Sequence, residues 1–299
     1  MNYYRFRFKQ FTYEIFHRPG LWMSEEKRMS LQKRLTAVAE NRLGAKPNYG
    51  LFADAGALGN KLITVCSQRG IDLGFNAMTY IGRYKTHPVV HLGSVFSLEG
   101  NQGQMQLLYL WSCLYLLLRA GLKTIYITSL THTPKIFGAV VEAYEDVFPD
   151  GSQGAKPESF HLTIRDMLMA SYLEEFNMRT RPKIDDRFVI RGFRQMADGT
   201  MLIPDTADTV PRHRKDAYNE FCLTNLDYRR GDDILQVGIL RVATPFKNAR
   251  LFKKGGMLRL AEIYGNLAVY TRACATDLLK GQPEQSCSFA HFSTLFLRN

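Results

Sequence analysis

One segment, residues 88–131, restricts the possible folds more than any other part of the chain. It begins with a strand-like apolar run (88–98) and continues through a loop that contains two glycines (99–104). A long apolar stretch (105–119) follows, rich in Leu, Met and Gln, which favour helix, and then a run with several β-branched residues (123–131). A strand, a buried helix and a second strand in this order predict a βαβ crossover with parallel strands.

Two more strand-like runs, at 61–66 and 72–82, precede this segment and are separated by turns short enough for hairpins. They predict an antiparallel meander that leads into the crossover. Further strand-like runs occur at 187–193 and 233–240. The sequence therefore predicts an α/β (α+β) fold with a mixed, mostly antiparallel sheet and a central βαβ crossover.

The chain has no internal repeat, and we expect it to form a single elaborated domain, 1–299. Residues 1–45 are expected to form a helical N-terminal segment, with Ser24 capping a helix that Gly44 ends. An α/β core is expected at 46–240, with an insertion inside it at 150–232. A helical C-terminal extension is expected at 241–299.

Composition narrows the class of protein. With 299 residues, of which 45% are hydrophobic, the chain can bury a sizeable core. Its 5 cysteines are odd in number and far apart, which is typical of free thiols in a cytoplasmic protein. The apolar runs fall short of the ~20 residues that span a bilayer. No compact cluster of metal ligands is present, so no metal is predicted.

The loop letters EGNQGQM, at 99–105, predict an anion site. The first N–H groups of a helix have no intrahelical partner, and the helix dipole adds partial positive charge there, so a phosphate can bind. The N–H groups available for this are those of Gln102, Gly103, Gln104 and Met105. The spacing matches neither a nucleoside triphosphatase loop nor a dinucleotide-binding fingerprint.

Three side chains near this segment are candidates for acid–base chemistry. Glu99 ends the strand before the loop, where a carboxylate can take a proton from an incoming ammonium; a solvated loop carboxylate is the alternative. His91 lies on a strand with two apolar faces, so a hydrogen-bonded core histidine is weighed against a general base. Tyr144 lies in the helical pattern that runs from Pro134 to Pro149, where core packing is the alternative.

The order of elements over 60–148 resembles the GNAT superfamily of N-acetyltransferases. The letters GNQGQM stand at the loop that binds the pyrophosphate of acyl-coenzyme A in that family, TIYITSLT at the next strand, and TPKIFGAVVEAYEDVFP at the following helix. Some letters differ from the family pattern. Gly100 stands where Gln or Arg is preferred, Met105 where Gly or Ala is preferred, and His132–Thr133 in place of an asparagine.

The resemblance implies an N-acyltransferase. Its acyl donor would be acyl-coenzyme A or an acidic acyl carrier protein, and its acceptor an amine of a peptide side chain or a small metabolite. A backbone N–H within Val95, Phe96 and Ser97 would polarise the thioester carbonyl. Tyr144 would protonate the leaving thiolate, and Thr133 would lie in the donor site. The many apolar residues outside the core segment extend this prediction to a fatty acyl chain.

Two other classes of protein remain open from the sequence. One is a non-catalytic protein that binds acyl-coenzyme A or pairs with another enzyme. The other uses the formal net charge of +11 to bind nucleic acid or a membrane surface, with affinity that falls steeply with salt. Nucleic acid is disfavoured because no nucleic-acid motif accompanies the charge. Peripheral membrane contact and a homodimer are both compatible with the sequence.

Overall fold

The computed structural model describes residues 2–47, 50–52, 55–101, 103–172, 183–194 and 206–244. The strands described are β1 (Tyr3–Phe8), β2 (Phe11–His17), β3 (Lys61–Gln68), β4 (Ile71–Tyr84), β5 (His87–Leu92), β6 (Val95–Ser97), β7 (Ile125–Thr131), β8 (Glu145–Phe148), β9 (Val189–Ile190) and β10 (Asp233–Leu240). The α-helices described are α1 (Glu25–Leu43), α2 (Gly103–Arg119), α3 (Pro134–Ala143), α4 (Ser159–Tyr172) and α5 (Asp216–Asn225). None of these helices combines the length and the apolarity that crossing a membrane requires.

The strands form one mixed sheet in the order β1-β2-β3-β4-β5-β7-β10-β8, while β6 pairs with β4 and β9 with β10. β5 and β7 are parallel, with His91 opposite Thr128, and α2 connects the two strands. β4 pairs with β5 in the antiparallel direction, as β10 does with β7. The predicted fold class, a mostly antiparallel sheet with a βαβ crossover, is therefore confirmed.

The chain divides into two compact units. Unit 1 contains the chain up to Met78 and the segment Ser94–Tyr115, and unit 2 contains Thr79–Gly93 and the chain from Leu116 to Pro245. The divisions fall inside β4 and inside α2.

In unit 1, α1 packs on β3 and β4 through side chains that recur at helical spacing. Leu31, Leu35 and Val38 form a buried cluster with Ile63 and Phe75, among others. The ends of α1 are those that the sequence predicts. The Ser24 side chain accepts a hydrogen bond from the Lys27 amide, and Gly44 takes the left-handed conformation, with φ +73.

In unit 2, β10 is buried along its whole length and separates two clusters. Leu235, Val237 and Ile239 contribute to a core with residues of α4, such as Ile164. Ile234 contributes to a second core, formed with residues of α3 and α5. Alternate residues of a strand point to opposite faces, so a strand covered on both sides is apolar at almost every position.

The N-terminal segment 1–45 differs from the helical expectation, because the hairpin β1–β2 precedes α1. Phe6 and Tyr13 of this hairpin pack against Trp111 of α2. Arg5 and Arg7 alternate with the aromatic residues of β1 and are exposed. This alternation is the period-two pattern of a strand, so the sequence does carry a local signal for β1 that the helical expectation overlooks.

The strand predicted at 88–98 is two strands, β5 and β6, separated at Gly93 and Ser94. The Ser94 carbonyl accepts from the Ala77 amide at 2.8 Å, although neither Gly93 nor Ser94 lies within a strand. Beyond this break β6 pairs with β4, whereas β5 pairs with both β4 and β7.

The helix predicted from Pro134 to Pro149 is also corrected. Pro134 begins α3 as expected, but α3 ends at Ala143 and residues 145–148 form β8. Val237 and Ile239 of β10 pair with β8, so strand pairing overrides the helical spacing in this stretch.

The region between β8 and β10 departs from the sequence prediction in three places. The strand predicted at 187–193 shortens to β9, and the insertion predicted at 150–232 contains α5 in addition to the expected helix α4. The helix expected at 161–177 is described as far as Tyr172. The C-terminal extension predicted at 241–299 lies outside the described residues beyond Thr244.

Candidate functional site

A tight turn joins β6 to α2. The Asn101 amide donates to the Leu98 carbonyl at 3.0 Å, and Gly100 has φ +78, a left-handed conformation that glycine adopts without strain. Gly103 is then the first residue of α2, whose first N–H groups have no earlier helical turn to bind. The backbone therefore arranges a helix N-terminus directly after a turn, which is the geometry that phosphate binding requires.

The four N–H groups predicted to bind phosphate are not equivalent. The Gln104 amide donates to the Asn101 carbonyl at 2.9 Å, so it is already engaged within the turn. Gln102 lies outside the described residues. Gly103 and Met105 belong to the first turn of α2, and their N–H groups are the remaining candidates for binding an anion.

The side chain of Gln104 anchors the start of α2 to the sheet. The Tyr13 hydroxyl donates to Gln104 Oε1 at 2.8 Å, and the Cys66 thiol lies 3.8 Å from the same oxygen. Both Tyr13 and Cys66 are fully buried, and burial raises the pKa of the Cys66 thiol to about 11. The sequence analysis assigned Gln104 only a backbone role. The sequence indicates this contact only by placing a glutamine at the start of a mostly apolar helix.

A second polar contact holds the middle of α2. Ser112 donates to the Leu108 carbonyl at 2.8 Å, lies 2.8 Å from Thr64 Oγ1 and accepts from Asn76 Nδ2 at 3.1 Å. Thr64, Asn76 and Ser112 are completely buried. Each buried polar group needs a hydrogen-bond partner at the correct distance, so these contacts help to fix the position of α2 on β3 and β4.

We expect Ser112→Ala to lower the free energy of unfolding by about 2 kcal/mol, because Thr64 and Asn76 lose a buried partner that water does not replace. Urea unfolding of the purified protein measures this change. Ser30→Ala, at an exposed position of α1, is the matched control and should change stability by less than about 0.5 kcal/mol. Equal effects of the two substitutions would contradict the structural role of Ser112.

Unit 1 brings several predicted site residues together around the turn. Val95, Phe96 and Ser97 form β6 and pair with β4, with Ser97 opposite Gly74. Glu99 follows directly in the turn and is exposed. The candidate thioester-polarising backbone, the candidate base and the candidate phosphate donors therefore lie within one short stretch of unit 1.

His91 lies in unit 2, on β5. Its side chain is buried, and Nδ1 lies 2.9 Å from Thr128 Oγ1, on the neighbouring parallel strand. This contact gives the imidazole a hydrogen-bond partner within the sheet. Its role as a catalytic base stays a prediction.

The other two predicted site residues of unit 2 are separated by α3. Thr133 is the residue before α3, is buried, and donates its amide to Thr131 Oγ1 at 3.0 Å. Tyr144 is the residue after α3 and has extended backbone angles, so it is not on the predicted helix. A helix rises 1.5 Å per residue, so about 15 Å of helix separates Thr133 from Tyr144. The structure therefore does not bring these two residues together.

Unit 2 contains a buried charged cluster at the end of β7 that the sequence analysis did not assemble. His132 Nδ1 lies 3.3 Å from Asp233 Oδ1, and Arg194 Nε lies 3.1 Å from the same oxygen. The Tyr228 hydroxyl donates to the His132 carbonyl at 2.9 Å. All four residues are buried. Asp233 Oδ1 accepts no hydrogen bond from the described residues, so its contacts with His132 and Arg194 are close approaches of ionisable groups and not hydrogen bonds.

No local sequence pattern indicates this cluster. In the sequence, His132 stands where the GNAT pattern has an asparagine, and Asp233 begins a strand-like run. His132 directly follows β7 and Asp233 begins β10, and the antiparallel pairing of these strands, with Thr131 opposite Ile234, brings the two residues together. Contact between residues so distant along the chain has no local sequence signal.

Loop residues 148–155 and α5 line a cavity of 630 Å³ in unit 2. Its polar lining includes Arg187, Glu220, Thr224 and Asn225, and the volume is within the range of small-molecule sites. None of the predicted site residues lines it. Among the residues that the structure describes, no group of three or more His, Cys, Asp or Glu side chains could hold a metal ion.

Comparison of the chain with models of known protein families and with curated protein sequences found no match in either case.

Proposed function

We propose that the chain is an N-acyltransferase that moves an acyl group, including fatty acyl chains, from acyl-coenzyme A to an amine. One observation carries the proposal. A strand, β6, enters a tight turn whose backbone leads directly into the N-terminus of α2, and α2 returns to β7, which is parallel to β5. This is the order and pairing that the resemblance to the GNAT superfamily implies.

The donor site proposed here uses backbone rather than charged side chains. The N–H groups of Gly103 and Met105 would bind the pyrophosphate of coenzyme A, supported by the dipole of the 17-residue helix α2. Gln104 would keep the helix start in place through its contact with Tyr13. An acyl carrier protein, whose phosphopantetheine carries the same thioester, is the alternative donor.

The proposed chemistry is direct transfer. A backbone N–H of β6, within Val95–Ser97, would polarise the thioester carbonyl, and a neutral amine would attack it. The carbon–nitrogen bond forms and the carbon–sulfur bond breaks. Glu99 would take the proton of the incoming ammonium, directly or through water, and a second group would return a proton to the thiolate.

Tyr144 is the group that the resemblance implies for returning that proton, although it lies beyond the end of α3. The acceptor amine would belong to a peptide side chain or a small metabolite, and the enzyme would act in the cytoplasm.

Thermal unfolding with coenzyme A thioesters from acetyl to palmitoyl, beside free coenzyme A, tests the donor site. A ligand at ~100 times its Kd stabilises the folded protein by roughly 2.7 kcal/mol, which raises Tm. Two variants sharpen the test. Gly103→Pro removes one N–H at the first helical position, where proline is tolerated, and should abolish the shift. Gly103→Ala keeps that N–H and should retain most of it.

The outcomes separate the possibilities. A rise in Tm that depends on Gly103 and grows with acyl length supports the proposal and a lipid-sized acyl site. No rise with any thioester, and none with an acylated carrier protein, contradicts it.

A non-catalytic acyl-coenzyme A-binding protein is the second candidate. The observation that favours it is the position of Tyr144, which lies outside the helix that was expected to carry it. Release of free thiol from a bound thioester in the presence of a panel of amines distinguishes the two. Binding without thiol release supports the silent protein.

A further inference from the structure

Two turns of unit 2 lie side by side at one end of the sheet. The first joins β4 to β5, and the second follows α2 and leads into β7. His87 Nδ1 lies 3.0 Å from the Thr124 carbonyl oxygen, and the rings of Tyr84 and Tyr126 are 5.1 Å apart. The parallel register, with Val89 opposite Tyr126, brings both turns to the same edge.

These turns and the last residue of α2 carry the basic rim, which we define as Arg83, Lys85, Arg119, Leu122 and Lys123. Its four cationic residues are exposed, and none of them makes an ion pair with any residue that the structure describes. Elsewhere in the described chain many cations are neutralised by a carboxylate, as the salt bridges of Arg34, Arg191 and Arg241 show.

The sequence around the basic rim contains no opposing charge. The letters RYKTHP (83–88) and RAGLKT (119–124) include no Asp or Glu. The rim therefore presents a local excess of positive charge.

Leu122 adds an apolar tip to this charge. Its side chain is 56% exposed, and its φ of +60 lies in the left-handed region, where Gly and Asn are much less strained than Leu. A leucine at this position has two costs: its backbone is in a strained conformation, and its apolar side chain is exposed to water. Burial of the side chain in a partner would account for the choice of residue.

We propose that the basic rim docks the protein on the surface of an anionic lipid bilayer, with Leu122 inserted at the boundary between headgroups and acyl chains. Clustered Lys and Arg are attracted to anionic headgroups, and an apolar side chain among them gains free energy by entering the interface. A nucleic-acid surface would use the four cations but would leave Leu122 in water. This proposal is independent of the acyltransferase proposal.

Co-sedimentation of the full-length protein with vesicles tests the proposal. Vesicles of phosphatidylcholine with roughly 30% phosphatidylserine should bind the protein, and vesicles of phosphatidylcholine alone should not. Binding should weaken as the salt concentration rises from about 50 mM to about 300 mM, because added salt shortens the Debye length. Failure to bind anionic vesicles at the lower salt concentration would overturn the proposal.

Three variants assign the binding to the rim. Each lysine near an anionic surface contributes roughly fivefold in affinity, so Lys85→Gln with Lys123→Gln should weaken binding roughly 25-fold. Lys27→Gln with Lys156→Gln removes the same charge from exposed positions outside the rim and should leave affinity nearly unchanged.

Leu122→Asn suits the left-handed backbone, so the fold should persist while vesicle affinity falls at least about fivefold. Equal loss in the two lysine pairs, or tighter binding to duplex DNA than to anionic vesicles, would contradict the proposal.

Discussion

Asp232→Ala should lower the free energy of unfolding by about 2–3 kcal/mol, the range for a buried carboxylate hydrogen-bonded to charged donors that are themselves partly exposed. The Asp232 side chain is completely buried. It accepts hydrogen bonds from Arg191 at 2.9 Å and from Arg230 at 2.7 and 2.6 Å, and also from the backbone amides of Gly192 and Asp227. Alanine would leave two guanidinium groups and two amides without this acceptor.

The effect of Asp232 should depend on pH in a defined direction. Burial by itself raises the pKa of its carboxyl, but the hydrogen bonds from Arg230, Gly192, Arg191 and Asp227 outweigh burial and hold the pKa well below its usual range. A carboxyl whose pKa is lower in the folded chain stabilises the fold above its unfolded pKa of ~3.9. That contribution is lost as the pH falls below this value.

Urea unfolding at several pH values measures both effects. The difference in unfolding free energy between the natural chain and Asp232→Asn should be largest near neutral pH and should shrink below about pH 4. Asp166→Ala is the control, because Asp166 pairs with Arg165 at an exposed surface and such pairs contribute about 0–1 kcal/mol. A difference that grows as the pH falls would refute the role given to the Asp232 carboxylate.

Gly74→Ala should lower the free energy of unfolding by about 3 kcal/mol, through overpacking. A Cβ at Gly74 would lie 2.7 Å from the Phe96 carbonyl oxygen and 3.2 Å from the Ser97 Cα. Both are backbone atoms of β6, so the strand itself has to move. Because β6 leads directly into the turn before α2, the proposed response of Tm to acyl-coenzyme A should be lost as well.

Gly82→Ala provides a control on the same strand. A Cβ there would meet Met167 Sδ at 3.2 Å, the end of a flexible side chain that can shift at little cost. The urea midpoint of Gly82→Ala should therefore remain near that of the natural chain. Equal loss in the two variants would show that the cost at Gly74 comes from the loss of a glycine and not from contact with β6.

Much of the fold was predictable because local rules decide it. The ends of α1 follow from Ser24 and Gly44, and the parallel pair β5–β7 follows from the apolar helix between two strand-like runs. The hairpin β1–β2 differs from the prediction although its pairing is local, whereas β8 differs because its partner is remote. Helical spacing alone predicts that α3 continues through residues 145–148, because β10, the partner that makes them a strand, comes much later in the chain.

In the candidate site, too, features with a local sequence signal could be predicted and features that depend on remote contacts could not. The turn before α2 could be predicted from Gly100 and Gly103, since glycines before an apolar helix are a local signal. The anchoring of Gln104 by Tyr13, and the pairing of His132 with Asp233, depend on strands brought together by the fold. Helical periodicity placed Tyr144 on a helix, although strand pairing of the next residues ends the helix before it.

The division of the chain between its two units affects how the protein is made. Up to Tyr115 the polypeptide leaves unit 1 after Met78, returns at Ser94 and leaves again at Leu116. During synthesis, the described part of unit 1 therefore lacks some of its sequence until Tyr115 has left the ribosome. The parallel pairing of β5 with β7 likewise cannot form until β7 has emerged. Neither unit can be isolated by cutting the chain once. Contacts between such distant segments form slowly, so we expect folding late in synthesis and a need for protection of the exposed strands until then.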